Sequence, residues 1–275
     1  MINNSRITAT DIRQRLRNWN RDIRLYPGNI PDSRSSSAVL FLVGEGPPQK
    51  GLHSEPYLVF NKRSQRVRQA GDLCFPGGGI SPILDPFLAR LLKLPFSPLT
   101  RWPYWKEWRK QRKEESKALA LLLAAGLREG LEEMRLNPFG GAFLGPLPPQ
   151  ELYLLGRMLY PLVFRIKDAK RYHPNWEVEK VVSIPLKEFL KPENYLAYRM
   201  HFASTRNVGD EAIQIFPGFL PRGEAEAEVL WGATYRIVVT FLGIVFGFYP
   251  PEINDLEVVD GFRGETYFQN GPSNS

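Results

Sequence analysis

The sequence predicts a single α/β domain that carries a helical arm at its N-terminus. Short runs rich in β-branched and aromatic residues, typical of strands, occur at 38–43 (AVLFLV), 57–60 (YLVF) and 159–166 (LYPLVFRI). The long segment 116–136 is instead rich in Ala, Leu and Glu and ends just before a proline, which predicts a helix. With 275 residues, of which 43% are hydrophobic, the chain can bury one sizeable core but is too short for several ordinary domains.

The remaining elements follow in chain order. Ile12, Leu16 and Trp19 recur at roughly helical spacing, which predicts an amphipathic helix packed on the main body. Further strand patterns occur at 73–75, 178–186 (VEKVVSIPL) and 212–216 (AIQIF). The apolar stretch 237–249 is too short to span a bilayer and predicts a buried helix. We therefore expect an arm and linker over 1–35, one domain over 36–261 and a polar tail over 262–275.

The cysteine content and the N-terminal sequence bear on the compartment. Cys74 is the one cysteine of the chain, so an intramolecular disulfide is excluded. The first twenty residues lack the apolar core of a secretion signal, and no segment predicts a transmembrane helix. These features predict a cytoplasmic protein.

The positive charge is concentrated in one segment. The chain carries 36 Lys and Arg against 29 Asp and Glu, a net charge of +7, which favours anionic partners without choosing among them. Residues 101–117 contain seven basic and three acidic side chains, so more than half of the surplus lies there. The surrounding segment 86–115 reads as two helical pieces interrupted by prolines. Its tryptophans recur every third residue, at 102, 105 and 108, which is typical of a packing stripe.

Four charged residues near the end of the long helix carry the chemistry: Arg128, Glu129, Glu132 and Glu133. At about 100° per residue the three carboxylates fall on one side of a helix. Such a cluster either lies in solvent or shares a divalent cation, and hard oxygen ligands suit Mg²⁺ or Mn²⁺. Upstream, the run 76–79 (PGGG) directly follows a strand, and glycines there let the main chain approach a ligand or offer a carbonyl oxygen to a metal.

CFPGGG followed by REGLEEMRL resembles the Nudix box, whose pattern is Gly, five residues, Glu, seven residues, then Arg-Glu and Glu-Glu pairs. Here Asp85 stands where the box has its first Glu, 42 residues separate Asp85 from Arg128, and Arg135 replaces the late Gly. The segment 86–115 therefore reads as a long insertion in the box. Upstream, NKRSQRVRQAGDLCFPGG is similar to the extra signature of the coenzyme A diphosphatase branch, with Arg63, Ser64, Arg68, Gly71 and the run 75–78 as its elements.

This resemblance implies a Nudix α/β/α sandwich, a mixed sheet between helices, with a helical insertion. It implies that Glu129, Glu132 and Glu133 bind Mg²⁺ or Mn²⁺, together with the carbonyl of Gly78, and that Arg128 orients the carboxylates. Substrate contacts are expected from Arg63, Arg68, Gly77 and Gly79. The general base is left open between one of the three glutamates and a distant carboxylate such as Glu211.

The implied reaction is hydrolysis of coenzyme A, or of its acyl derivatives, to 4′-phosphopantetheine and adenosine 3′,5′-bisphosphate. One alternative is another nucleoside diphosphate compound as substrate: a nucleotide sugar, a dinucleotide or capped RNA. Another is a non-catalytic Nudix-fold protein whose basic insertion binds nucleic acid or an anionic membrane. The sequence favours the enzyme, because a retired site need not keep its Arg-Glu and Glu-Glu pairs; it does not determine the oligomeric state.

Overall fold

The structure, a computed structural model, describes residues 7–27, 30, 35–45, 55–152, 156–166, 172–202, 212–222, 227–263 and 267. Five α-helices lie in this part of the chain: α1 (Ala9–Asn20), α2 (Leu84–Leu91), α3 (Trp105–Gln111), α4 (Lys113–Met134) and α5 (Gly232–Phe246). The strands there are β1 (Ser36–Glu45), β2 (Pro56–Arg63), β3 (Leu73–Cys74), β4 (Gly77–Gly79), β5 (Ala142–Pro146), β6 (Gln150–Leu152), β7 (Arg157–Ile166), β8 (Val178–Pro185), β9 (Tyr195–Phe202), β10 (Ala212–Phe219), β11 (Leu230–Trp231) and β12 (Val258–Arg263).

The strands form a large mixed sheet and a small mixed sheet. In the large sheet the order is β3-β2-β1-β7-β5, with β4 also paired to β1, β6 to β7 and β8 to β2. The central pair β1 and β7 is parallel, whereas β2 and β4 run antiparallel to β1. The small sheet has the order β11-β10-β9-β12, and its β9–β12 pair is parallel.

The large sheet lies between two apolar layers, as the alternation along β1 shows. Ala38, Leu40 and Leu42 of β1 pack in one core with α4 and the tryptophans of segment 86–115. Val39 and Phe41 point the other way and join a second core with α1 and α5. Because successive strand side chains point to opposite faces, one continuous buried run can serve both layers. The predicted α/β sandwich, a mixed sheet between helices, is confirmed.

Helix α1 packs on the body of the protein as the spacing predicts. Thr8 caps it by accepting a hydrogen bond from the backbone N–H of Asp11, whose carboxylate in turn accepts from the backbone N–H of Thr8. Ile12 and Leu16 are buried. After the helix ends, the buried carboxylate of Glu115 accepts hydrogen bonds from two backbone N–H groups of the arm, at Leu25 and Tyr26.

Segment 86–115 packs against α4 as well. Trp102, Trp105 and Trp108 are at most 8% exposed, so the packing stripe is confirmed. Arg112 lies over the Trp108 ring and donates hydrogen bonds to the carbonyl oxygens of Asn20 and Ile23. Part of the basic surplus therefore anchors the arm to the insertion.

Several boundaries differ from the sequence expectations. α4 begins three residues before the predicted start and ends at Met134. β12 extends through Arg263, into the segment expected to be a polar tail, and Tyr267 of that segment is buried. β5, β6, β9 and β12 were not predicted, since polar residues, glycine or proline interrupt their apolar patterns. The predicted helix at 237–249 is α5, which begins earlier, at Gly232, and buries six side chains. In the described part of the chain, no helix is long and apolar enough to cross a membrane.

Candidate active site

The glycine strand β4 and the second half of α4 lie against each other beside β1. Gly77, Gly78 and Gly79 pair with Val39, Ala38 and Ser37 of β1. A Cβ atom at Gly78 would lie 2.4 Å from Oε1 of Glu129, so any side chain there would collide with that carboxylate. A Cβ at Gly77 would lie 2.4 Å from the carbonyl oxygen of Ala38. Glycine is therefore required at position 77, where the neighbour is backbone, while a side chain at position 78 would displace the carboxylate of Glu129 from the strand.

Arg128 is bonded to several groups at this junction. Its Nη1 lies 2.9 Å from Oε1 of Glu129 and 3.1 Å from Oε2 of Glu132. Its Nη2 donates to the carbonyl oxygen of Gly79 at 2.9 Å. Burial by itself would lower the pKa of Arg128, but the hydrogen bond to Asp85 and the charge of Glu129 raise it above its ordinary value. Arg128 is therefore a permanent cation that orients two of the predicted metal ligands.

Asp85, on the first turn of α2, holds Arg128 in place. Its two carboxylate oxygens accept from Nε and Nη2 of Arg128 at 2.8 and 3.1 Å, a two-point ion pair. The backbone N–H of Ser81 donates to the same carboxylate at 2.6 Å. Asp85 is fully buried. Asp85 thus contacts Arg128 directly, although 42 residues separate the two in the sequence.

Glu133 is the most buried of the three glutamates, at 9% exposure. Nδ2 of Asn61, on β2, donates to Oε2 at 2.8 Å, and the backbone N–H of Gly77 lies 3.4 Å from Oε1. Burial and the neighbouring carboxylate of Glu129 nevertheless raise the pKa of Glu133 to about 8. The charged form of Glu133 is therefore disfavoured in this site, and a cation bound beside it would reverse that preference.

The other two glutamates differ in exposure. Burial raises the pKa of Glu129, whose side chain is 17% exposed. The side chain of Glu132 is 51% exposed. A fourth carboxylate, that of Glu177, contributes to raising the pKa of both Glu129 and Glu133 and so belongs to the same electrostatic cluster.

Glu177 and Asn61 are site residues that the sequence reasoning missed. The chain before β8 is tied to the end of α4, since the backbone N–H of Asn175 donates to the carbonyl oxygen of Glu133 at 2.8 Å. The backbone N–H of Ser64 donates to the carbonyl oxygen of Glu177 at 2.8 Å. Glu211, the distant carboxylate that the sequence analysis names as a possible general base, lies outside the described residues.

Hydrogen bonds of Arg63, Ser64 and Gly71 hold the basic loop after β2 in place. Nε of Arg63 donates to the carbonyl oxygen of Arg68 at 2.7 Å. The backbone N–H of Gly71 donates to the carbonyl oxygen of Arg63 at 2.9 Å. Gly71 has φ +81°, a conformation that favours glycine. Ser64 Oγ donates to the carbonyl oxygen of Trp176, next to Glu177. The loop is thereby joined to the segment that brings Glu177 to the cluster.

The donor set suits a hard divalent cation, although the carboxylates are held apart here. Within the described ranges, no three carboxylate, imidazole or thiol groups converge as a preformed metal site. Glu129 and Glu132 both contact Arg128, while Glu133 is bonded to Asn61. Carboxylate oxygens are nevertheless the ligands that Mg²⁺ and Mn²⁺ prefer, and burial together with the charge of Glu129 raises the pKa of Glu133, a cost that a bound cation would offset. The residues therefore fit such an ion by chemistry.

Cys74 plays no part as a nucleophile. It lies partly buried on β3, at the edge of the large sheet. Burial raises the pKa of its thiol to about 12, so the thiol stays protonated at neutral pH. This agrees with its interpretation as a small packing residue.

The chain matches no profile of a known protein family. Among curated proteins, it is 28% identical over 144 residues to a protein of Citrobacter koseri named uncharacterized Nudix hydrolase NudL. The aligned residues make up 52% of this chain and 56% of NudL, so the chain spans little more than half the length of that relative. This similarity supports the Nudix hydrolase superfamily.

Solved structures with a similar backbone bear the same family name. A MutT/nudix family protein from Enterococcus faecalis has a TM-score of 0.37 and 11% identity, over 83% of this chain and 65% of that one. A Nudix hydrolase from M. smegmatis, RenU, has a TM-score of 0.34 and 12% identity, over 56% and 73% of the two chains. Backbone similarity at this level does not distinguish one activity from another.

Proposed function

We propose that this chain, whose sequence similarity supports the Nudix hydrolase superfamily, hydrolyses the pyrophosphate link of a nucleoside diphosphate derivative. The observation that carries the proposal is the position of Glu129 and Glu133 against the glycine strand, with Arg128 held by Asp85 and in contact with Glu129 and Glu132. Burying carboxylates such as Glu129 and Glu133 costs free energy, and such costs are typical of functional sites. A divalent cation would offset the cost and would attract a diphosphate.

Mg²⁺ or Mn²⁺ is the ion we infer, held by Glu129, Glu132 and Glu133 with the main-chain carbonyl of Gly78 as a further oxygen ligand. Bound there, it would polarise the non-bridging phosphate oxygens and lower the pKa of a water molecule. Neighbouring residues of the chain hold the proposed ligands in place. Asn61 and the backbone N–H of Gly77 contact different oxygens of Glu133 and so orient its carboxylate.

We assign the proton-accepting role to Glu177. Its carboxylate comes from the chain before β8 and not from α4, so it can approach the attacking water from a different direction than the three helix glutamates. It also belongs to the same electrostatic cluster, since its charge raises the pKa of Glu129 and of Glu133. A carboxylate near the reacting water is a suitable general base.

Coenzyme A, free or acylated, is the substrate we favour. The support is the signature carried by Arg63, Ser64, Arg68 and Gly71, whose contacts fold a basic loop and join it to the segment of Glu177. Coenzyme A carries a 3′-phosphate in addition to its diphosphate, so it offers arginines more negative charge than most dinucleotide-like compounds. Arg63 and Arg68 would contact phosphates, while Gly77 and Gly79 let the main chain approach the diphosphate.

The test is a substrate panel read by mass spectrometry, with purified chain, either Mg²⁺ or Mn²⁺, and the Glu133→Gln variant as control. We expect coenzyme A to yield 4′-phosphopantetheine and adenosine 3′,5′-bisphosphate with the wild type alone. Cleavage of only a nucleotide sugar, a dinucleotide or capped RNA would contradict coenzyme A as the substrate. Pyrophosphate hydrolysis as the reaction would still stand. Failure to cleave any compound with either ion would overturn the hydrolase itself.

A further inference from the structure

Segment 83–96, which leads into and follows α2, presents an unusual number of large apolar side chains to solvent. Six of them are between 43% and 85% exposed: Ile83, Leu84, Phe87, Leu91, Leu94 and Phe96. The same insertion buries its three tryptophans against α4. The segment therefore has a packed inner side, and its exposed residues, called the apolar patch below, are not needed to fill the core.

On α2 the patch follows the helical repeat. Leu84, Phe87 and Leu91 fall within an arc of about 60° at 100° per residue, and all three are exposed. The opposite side carries the buried residues Asp85 and Ala89. An amphipathic helix with its apolar side turned outward, in a protein otherwise well packed, indicates a surface that binds something.

The turn after α2 holds Phe96 outward. Phe96 has φ +66°, a left-handed conformation that is unfavourable for a bulky side chain, and it is 85% exposed. Hydrogen bonds stabilise this turn: Thr100 Oγ1 donates to the carbonyl oxygen of Leu94 at 2.9 Å, and Ser97 Oγ donates to that of Leu92. An unfavourable backbone conformation that holds an aromatic ring in solvent is explained if a partner covers the ring.

Basic residues beside the apolar patch indicate an anionic partner. Arg90 and Lys93 are exposed among the apolar side chains. From 86 to 106 the sequence contains four basic residues and no acidic one. Phenylalanine and leucine beside lysine and arginine are the composition of helices that lie in the interface of an anionic bilayer, where the rings enter the acyl boundary and the cations meet lipid phosphates.

We propose that the apolar patch docks the protein reversibly on an anionic lipid bilayer. This goes beyond the proposed hydrolysis and does not depend on it. Because Asp85 of α2 also holds Arg128, docking would set the candidate active site beside the membrane surface.

The experiment is flotation of the full chain with phosphatidylcholine vesicles, with and without phosphatidylserine. We expect the wild type to float with the anionic vesicles and much less with the neutral ones. The double variant Phe87→Gln/Phe96→Gln should lose binding by at least about tenfold, since the anchoring rings are gone. The matched control is Ile213→Gln/Ile215→Gln, which removes two residues of similar exposure, 53% and 54%, on β10 and should bind as the wild type does.

Three results would overturn the proposal. The first is a wild type that stays at the bottom of the gradient with anionic vesicles. The second is a Phe87→Gln/Phe96→Gln protein that floats as well as the wild type. The third is a wild-type dimer, measured by light scattering, that the same variant converts to a monomer without any vesicle binding; the patch would then join two copies of the chain. Circular dichroism and thermal unfolding verify that the variants are folded.

Discussion

Asp85 and Arg128 form a two-point ion pair, with both contacts between 2.8 and 3.1 Å, across an insertion that separates them by 42 residues. The pair is buried on the carboxylate side and fixes the guanidinium that contacts Glu129 and Glu132. Asp85 and Arg128 are therefore distant in the sequence but adjacent in space, since α2 and α4 pack together.

Replacing Asp85 by Asn should destabilise the protein and lower its activity. The change removes the fully buried, two-point charge contact of Arg128 and leaves it only the carboxylates of Glu129 and Glu132, which costs about 3 kcal/mol in the free energy of unfolding. Urea titration measures the loss. The comparison variant is Asp260→Asn, which breaks a similar two-point pair with Arg199 at an exposed position and should change stability much less. Equal effects of the two variants would contradict the assigned role of Asp85.

Replacing Glu133 by Gln should abolish hydrolysis, by at least about a hundredfold, without loss of stability. The variant keeps an oxygen that can accept from Asn61, and because the pKa of Glu133 is about 8, the group it replaces is mostly uncharged near neutral pH when no ion is bound. In the wild type, Mg²⁺ or Mn²⁺ should raise the midpoint of thermal unfolding, because the ion binds the native state alone. A chelator should reverse this shift and stop hydrolysis. A variant that gains the same thermal shift as the wild type would exclude Glu133 as a ligand.

Glu177→Gln should lower kcat by at least about a hundredfold and leave the metal-induced thermal shift in place, because a general base is needed for the chemical step and not for holding the ion. Steady-state kinetics on the cleaved substrate and the unfolding midpoint give the two readings. Loss of the thermal shift would instead make Glu177 a metal ligand. Unchanged kcat would remove it from the reaction.

Arg135→Gly should stabilise the protein by about 0.5–1 kcal/mol, measured by urea titration. Arg135 ends α4 with φ 54° and ψ 36°, the left-handed conformation in which glycine is unstrained. It also occupies the place of the late glycine of the box. Arg135→Ala is the control, since it removes the charge and keeps Cβ; an equal gain from Ala would show that charge, not backbone strain, is responsible.

Cys74 should react slowly with iodoacetamide at pH 8 in the native protein. The pKa of its thiol is raised to about 12 by burial, so almost no thiolate is present at that pH. Addition of urea beyond the unfolding midpoint should accelerate alkylation to the rate of a free cysteine. Mass spectrometry of the modified chain follows both rates, and fast alkylation of the folded protein would contradict the burial of Cys74.

Local patterns in the sequence were sufficient for the main helices, for several strands and for the helix residues of the candidate site. Continuous apolar runs predicted β1, β2 and β7, because strands buried on both faces need no polar residues. Helical spacing grouped Glu129, Glu132 and Glu133, whereas the glycine run, expected to be a loop after a strand, forms the short strand β4. These are relationships between residues close in sequence, where the geometry of one helix or strand determines which side chains are neighbours.

Only the tertiary structure decided which distant residues complete the site. Asn61 and Glu177 reach it from β2 and from the chain before β8, which are brought together because β2 and β8 pair in the sheet. The packing of α2 on α4 determined that Asp85 turns inward and Phe87 outward, although FLARLLKL reads only as helical. Periodicity specifies that a helix has an apolar side, whereas the neighbours that cover or leave open that side are set by long-range packing.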